Sequence, residues 1–152
     1  MNKYFTERYK ISWVLTDELA VGPAPIISEH IDYLKEQGIV SILSLCSKEE
    51  AKPPENIENF FKSKRIILPD HKYERKLTLD ELQKSIKIIE ELKPLGPVLV
   101  HCVASVERSP LVCMAWLIVH HNLDVKQALD YLMSIHRQTN PLPSQLMILN
   151  DL

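Results

Sequence analysis

The amino-acid sequence predicts a single α/β domain, residues 1–152, in which a central, mostly parallel sheet carries helices on both faces. Short apolar segments of strand length alternate with longer segments whose apolar residues recur every three or four positions. Such alternation is typical of a parallel sheet enclosed between two helical layers. The length suits one domain, and about the first ten residues are expected to form an arm ahead of it.

The first part of the chain predicts a hairpin, a helix and a buried strand. Residues 11–15 and 18–22 have the character of paired strands around a tight turn. Ser28 is expected to cap a helix that stops at Gly38. Residues 39–45 then alternate apolar and small side chains, which indicates a strand buried in the sheet.

The middle of the chain predicts mostly loop until a well-marked helix begins. A charged stretch at residues 47–64 predicts a loop with a short helix, and a brief strand follows at 65–68. Residues 70–76 lack periodicity and predict a second loop. Thr78 and Glu81 have the spacing of a capping box ahead of an apolar stripe, so a helix should start there.

The last third predicts one strand and three helices. Residues 97–100 form a short apolar strand, and residues 111–119 are apolar on every side, which indicates a fully buried helix. Asp124 is expected to cap the next helix, and a short final helix is expected after Pro143. Strands and helices therefore alternate over most of the chain.

Charge, hydropathy and cysteine count limit the function classes. The net charge of −2 gives no reason to expect nucleic acid or a membrane surface as a partner. No apolar run reaches the roughly 18 residues of a membrane-spanning helix, and the polar N-terminus is unlike a secretory signal, so the expected location is cytoplasmic. Cys46, Cys102 and Cys113 are an odd number without close spacing, which argues against a disulfide framework or a metal site.

The stretch around Cys102 carries the chemistry. The strand at 97–100 runs into Cys102, five residues separate it from Arg108, and the buried helix follows. A short loop between a strand and a helix N-terminus exposes consecutive backbone N–H groups, which form a cradle for an anion. The helix adds the positive end of its dipole. Cys102 should therefore be ionised at neutral pH, since its thiolate is itself an anion there.

Neighbouring side chains complete this anion site. Arg108 has a planar guanidinium that can hold two phosphoryl oxygens at once. Ser109 is expected to donate its hydroxyl toward the sulfur of Cys102, which makes the sulfur a better leaving group. His101 is expected to be buried and hydrogen-bonded to the loop, so that it holds the loop's shape rather than carrying protons.

The pattern His101-Cys102-x5-Arg108-Ser109 resembles the signature loop of the protein tyrosine phosphatase superfamily, and the short chain resembles its dual-specificity branch over about residues 11–150. The resemblance implies the dual-specificity phosphatase fold. It also implies a cysteine-dependent phosphomonoester hydrolase with a phosphocysteine intermediate and no cofactor. In this family the loop binds the phosphate, which implicates Val103, Ala104, Ser105, Val106, Glu107 and Arg108.

The family also needs an aspartate as general acid. Asp70 has the expected place, on the loop after the strand at 65–68 and 102 − 70 = 32 residues before the nucleophile. Partial burial over the substrate should favour the protonated form that donates. Glu74 on the same loop and Asp80 in the first turn of the next helix are the competing candidates.

Two loop residues depart from the family pattern. Ser105 stands where the family usually has glycine, so its side chain is expected to strain the turn or narrow the approach of the phosphate. Glu107 puts a carboxylate beside Arg108, where it either orients the guanidinium or repels highly phosphorylated substrates. Cys46 follows the strand at 39–45, where some relatives carry a second cysteine that traps the oxidised nucleophile as a disulfide; a core thiol is the simpler interpretation.

Three function classes fit this pattern. The first is a phosphatase of phosphotyrosine, phosphoserine or phosphothreonine in proteins, acting as a monomer; the others are a phosphate-binding pseudophosphatase and a sulfurtransferase or arsenate reductase. A binding protein would need neither the thiol of Cys102 nor the acid Asp70, and a sulfurtransferase would not need Asp70. Phosphoinositides and phosphoglucans stay open as substrates, although residues 103–107 lack the lysine that suits multiply phosphorylated lipids.

Overall fold

The computed structural model describes residues 9–152; residues 1–8, most of the expected N-terminal arm, lie outside them. Within the described part, one five-stranded sheet has the strand order β1-β2-β5-β3-β4. Only β1 and β2 pair antiparallel, and the other three pairs are parallel. The strands are β1 (Ser12–Leu15), β2 (Leu19–Gly22), β3 (Ser41–Ser44), β4 (Lys62–Arg65) and β5 (Val98–His101).

Five α-helices surround the sheet within the same residues, and the predicted capping box at Thr78 and the predicted cap at Asp124 are confirmed. Thr78 caps α2 and Asp124 caps α4: each side chain accepts from the amide of the residue three positions later, and the amide of each cap residue donates to the side chain of that later residue. None of these helices is long and apolar enough to cross a membrane. The helices are α1 (Ser28–Glu36), α2 (Leu79–Leu92), α3 (Arg108–His121), α4 (Val125–Ile135) and α5 (Pro143–Leu149).

The sheet has an apolar core on each face, which confirms the predicted α/β fold. In β5, Val98 and Val100 pack with the core that includes α2, α3, α4 and α5, whereas Leu99 packs with the core that includes α1. All four residues of β5 are buried. Because both faces of this central strand are covered, its first three residues are all apolar instead of alternating with polar ones. The end of β5 is thus a rigid point from which the next residue, Cys102, extends.

Three predicted boundaries are wrong. Ser28 is the first residue of α1 rather than its cap, because the helix starts after Ile27 without a side-chain cap. The fourth strand lies at Lys62–Arg65 instead of 65–68; as an edge strand with alternating exposure it pairs with β3 through its backbone and needs no apolar side chains. The last turn of α3 leaves the core, so Val119 is 44% exposed.

The capping box of α2 gives a stability prediction. Thr78 Oγ1 accepts from the Glu81 amide at 3.2 Å, and Glu81 Oε1 accepts from the Thr78 amide at 3.0 Å. Thr78→Ala should lower the free energy of unfolding by about 1 kcal/mol, measured by urea denaturation, because it leaves a helix-end amide without its acceptor. Thr78→Ser keeps the hydroxyl and is the matched control; equal stability of the two variants would contradict the prediction.

Candidate active site

The loop at residues 102–107 connects β5 to α3 at the carboxyl end of the parallel strands, where such sheets commonly bind ligands. Four of its carbonyl oxygens are turned outward, because each accepts a hydrogen bond from a surrounding element. The four bonds are His101 Nδ1 to Cys102 O (2.8 Å), Ala24 N to Val103 O (3.0 Å), His136 Nε2 to Ser105 O (2.8 Å) and Asn140 N to Val106 O (2.8 Å).

Because these four carbonyls point outward, the amides that share their peptide planes point to the inner side of the loop. In a trans peptide plane the C=O of one residue and the N–H of the next point in opposite directions. The amides of Val103, Ala104, Val106 and Glu107 are therefore directed away from the four bonded carbonyls, and within residues 9–152 none of them donates to a backbone carbonyl. Four N–H groups directed this way at the start of the 14-residue helix α3 make a cradle suited to an anion.

The thiol of Cys102 lies beside this cradle. Cys102 is 3% exposed and lines a cavity of about 480 Å³. Its Sγ lies 3.2 Å from Ser109 Oγ, so the hydroxyl predicted to face the sulfur does so. The other residues lining the cavity are Glu50, Asp70, His71, Lys72, Tyr73, Val103, Ala104, Val106, Glu107 and Arg108.

Arg108 is buried and is held by a residue that the sequence analysis did not identify. Its guanidinium is 3% exposed, and it donates to both carboxylate oxygens of Glu50, at 3.0 and 3.3 Å, and to the carbonyl of Leu68 at 2.9 Å. Burial opposes ionisation of Glu50, but bonds from Arg108, the Ser47 amide and Tyr73 outweigh it and lower the pKa of Glu50. Glu50 lies 58 residues before Arg108 in a charged loop, and no local pattern in that loop indicates the pairing.

Asp70 lies on the rim opposite the loop. One of its carboxylate oxygens accepts from the Lys72 amide at 2.8 Å, and the other is 3.7 Å from the guanidinium of Arg108. The competing carboxylates are elsewhere: Glu74 lines a different depression, and Asp80 pairs on the surface with Lys84 at 2.9 Å. Of these three acids, only Asp70 is among the residues that line the cavity with Cys102.

Glu107 does not orient Arg108; Glu50 has that position. The carboxylate of Glu107 instead accepts from the backbone N–H of His71 at 3.2 Å, contacts the His71 ring, and accepts from Gln145 at 3.2 Å. Glu107 therefore ties the loop that carries Asp70 to the 102–107 loop and to α5. Neither His71 nor Gln145 was identified from the sequence.

His101 and Ser105 set the shape of the loop from behind. His101 is fully enclosed, donates from Nδ1 to the Cys102 carbonyl and lies 2.7 Å from Ser44 Oγ through Nε2. Burial lowers the pKa of His101 to about 4, so the ring is neutral at physiological pH. Ser105 adopts a φ of +61°, the left-handed backbone expected of the glycine it replaces.

Cys46 and Cys113 are free, buried thiols. Burial is the main cause that raises the pKa of each, and Cys113 lies inside α3 among apolar side chains. Both environments disfavour the thiolate form, as in core cysteines.

The Arg108–Glu50 pair gives the second prediction. Glu50→Ala should lower the free energy of unfolding at neutral pH by roughly 3 kcal/mol, because it leaves the buried guanidinium with the Leu68 carbonyl and the more distant Asp70. Since the pKa of Glu50 is lowered in the fold, this contribution is present above its usual value of 4.5 and is lost as the pH falls through the lower, folded-state value. Urea denaturation across that range measures both effects. Glu49→Ala, at the exposed neighbouring position, is the control, and equal loss in both variants would refute the assignment.

Comparison with known proteins agrees with this geometry. The family model described as "Dual specificity phosphatase, catalytic domain" matches residues 21–151. Phosphatidylglycerophosphate phosphatase PTPMT2 of Arabidopsis thaliana is 23% identical over 91% of this chain and 61% of its own length. Dual specificity protein phosphatase 2 of Mus musculus is 30% identical over 68% of this chain and 31% of its own. This chain therefore spans less than two thirds of either relative.

A solved structure has the same fold. The human tyrosine phosphatase-like serine/threonine/tyrosine-interacting protein superposes with a TM-score of 0.81 at 21% identity, and the match covers 95% of each chain. The family model covers most of the chain, including Cys102, Arg108 and Asp70. The chain accordingly belongs to the family of dual specificity phosphatase catalytic domains.

Proposed function

We propose that this domain hydrolyses phosphate monoesters on protein side chains, phosphotyrosine, phosphoserine or phosphothreonine, through a phosphocysteine intermediate on Cys102. The observation that carries the proposal is the convergence on one cavity of a thiol, four inward amides and a guanidinium. Donors of this kind match the equatorial oxygens of a phosphoryl group, where charge resides during transfer.

The first step transfers the phosphoryl group to sulfur. The Cys102 thiolate attacks phosphorus, the bond from phosphorus to the ester oxygen breaks, and the leaving oxygen takes a proton from the Asp70 carboxyl. The side chain of Asp70 is 16% exposed and lies 3.7 Å from the guanidinium of Arg108, and this position supports the proposed role of Asp70.

The second step returns the thiolate. Water attacks phosphorus and gives its proton to the Asp70 carboxylate, the sulfur–phosphorus bond breaks, and the electron pair stays on sulfur. Ser109 Oγ, 3.2 Å from the sulfur, donates a hydrogen bond that stabilises the charge as it develops. Inorganic phosphate leaves from the cradle.

The charge of the cavity favours a substrate with one phosphoryl group. Among the described residues that line the cavity, the carboxylates of Glu50 and Glu107 and the thiolate of Cys102 accompany two permanent cations, Lys72 and Arg108, and Asp70 adds a third carboxylate whenever it is ionised. Additional phosphates around the ring of an inositol would face this excess of negative charge. A phosphorylated side chain in an extended peptide presents a single dianion and suits the cavity better.

A phosphorylated lipid is the second candidate. An adjoining cavity of about 730 Å³ shares Glu50 and Val103 with the active site and is lined in part by Pro23, Ala24 and Ile26. This apolar wall suits either the side chain next to a phosphorylated residue or the first methylenes of a lipid. The Arabidopsis relative is a phosphatidylglycerophosphate phosphatase, which supports testing the lipid. A pseudophosphatase is disfavoured, because Cys102 and Asp70 both line the cavity.

Leaving-group dependence tests the role of Asp70. Asp70→Asn should slow hydrolysis of a phosphotyrosine or phosphoserine peptide by about 10²–10⁴-fold. An aryl ester with an acidic leaving group needs little protonation and should be slowed far less. Glu74→Gln is the control and should leave both substrates near the wild-type rate. The assignment fails if Asp70→Asn slows both substrates equally while Glu74→Gln shows the strong leaving-group effect.

A substrate panel tests the choice of protein over lipid. Phosphopeptides, phosphatidylglycerophosphate and inositol phosphates should be compared by kcat/KM in wild type, with Cys102→Ser as the inactive control because a serine hydroxyl is not ionised at neutral pH. We expect the phosphopeptides to have the highest value. A higher value for the lipid would replace the first candidate with the second.

A further inference from the structure

A chain of four buried or partly buried side chains begins at Ser109 and continues away from the nucleophile. Ser109 Oγ lies 2.9 Å from Ser105 Oγ, which lies 3.0 Å from His136 Nε2. The other ring nitrogen, His136 Nδ1, lies 2.8 Å from Ser12 Oγ in β1. Ser105 and Ser109 are completely buried and His136 is 2% exposed. The chain thus links the sulfur of Cys102 to the end of α4 and to the sheet.

The direction of the hydrogens in this chain follows from one contact. His136 Nε2 is 2.8 Å from the carbonyl oxygen of Ser105, which can only accept, so Nε2 carries the hydrogen. Burial lowers the pKa of His136, so the ring is neutral and Nδ1 accepts from Ser12. The Nε2–H lies within hydrogen-bond distance of both the carbonyl oxygen and the Oγ of Ser105, which is a bifurcated hydrogen bond.

With its lone pair facing His136, the Ser105 hydroxyl has its own hydrogen left to donate. A thiolate at Cys102 can only accept, so Ser109 donates to its Sγ at 3.2 Å, and the Ser105 hydroxyl then donates to Ser109 Oγ at 2.9 Å. Every donor between His136 and the sulfur is therefore directed toward the sulfur. Hydrogen bonds aligned in one direction polarise each other and are strongest when the final acceptor is negatively charged.

We propose that Ser105 and His136 are positioning residues that orient the Ser109 hydroxyl toward the Cys102 sulfur and so stabilise its thiolate. This inference rests on the proposed function, since the thiolate is the nucleophile of the first step and the leaving group of the second. A glycine at position 105 would adopt the φ of +61° without strain but would have no hydroxyl. The serine thus keeps a strained backbone and gains a donor to Ser109.

Two substitutions at one position separate this role from backbone strain. Ser105→Ala loses the hydroxyl and keeps the strain, whereas Ser105→Gly loses the hydroxyl and relieves the strain. In both, the pH midpoint of Cys102 alkylation by iodoacetate should rise by about 0.5 unit or more, a roughly threefold change in ionisation. Arg108 and the start of α3, which also favour the thiolate, are the same in all variants. A midpoint in Ser105→Ala equal to that of wild type would refute the inference.

A double-substitution cycle tests whether Ser105 acts through Ser109. Ser109→Ala should raise the same midpoint, and Ser105→Ala combined with Ser109→Ala should raise it no further, because the chain is already interrupted. Additive shifts would overturn the inference. At position 136, His136→Gln retains an N–H donor and should stay closer to wild type than His136→Leu; equal shifts would count against a role for the ring.

The alkylation readout does not require turnover, so it remains informative if the proposed function fails. In rapid-mixing experiments with an activated aryl ester, Ser105→Ala should slow breakdown of the phosphoenzyme more than its formation. The KM for this ester should change little. Absence of any phosphoenzyme in wild type would reject the proposed function. A normal phosphoenzyme together with an unchanged pH midpoint of alkylation in Ser105→Ala would reject only the role inferred for Ser105 and His136.

Discussion

The orientation of the peptide planes between residues 102 and 107 is the constraint on which the site depends. Each outward carbonyl is fixed by a different part of the molecule: His101 at the end of β5, Ala24 after β2, His136 at the end of α4 and Asn140 before α5. A backbone held in this conformation needs no reorganisation of its amides when an anion arrives. The fold supplies this preorganisation because β5 lies at the centre of the sheet, between β2 and β3.

The buried guanidinium of Arg108 is the second feature that requires specific neighbours. A cation that is 3% exposed needs anionic or carbonyl partners, and Glu50 and Leu68 provide them. The same pairing fixes the plane of the guanidinium, which a bidentate contact with phosphoryl oxygens requires. Glu107 also fixes one side of the cavity, because its contacts with His71 hold the loop that carries Asp70 against the 102–107 loop.

The sequence predicted the features that depend on neighbouring residues and missed the contacts between residues far apart in the chain. The strand–loop–helix unit around Cys102, the capping box of α2 and the Asp124 cap of α4 are local patterns, and the structure contains them where they were expected. The partners Glu50 and His136 lie 58 and 31 residues from the groups they hold. Periodicity and motif spacing carry no signal for contacts made by loops that meet only after folding. β4 was misplaced for a related reason, since an edge strand is defined by its pairing with β3 and not by apolar side chains.

Direct observation of a phosphoryl group on Cys102 is the most direct test of the account. Wild-type protein should be mixed with an activated aryl phosphate, quenched in acid within the first turnover, digested and analysed by mass spectrometry, with Cys102→Ser as the blank. The account predicts one phosphoryl group on the peptide that contains Cys102, and its disappearance when the quench is delayed until substrate is exhausted. Substrate turnover with no phosphoryl group on that peptide, or with the group on another residue, would contradict it.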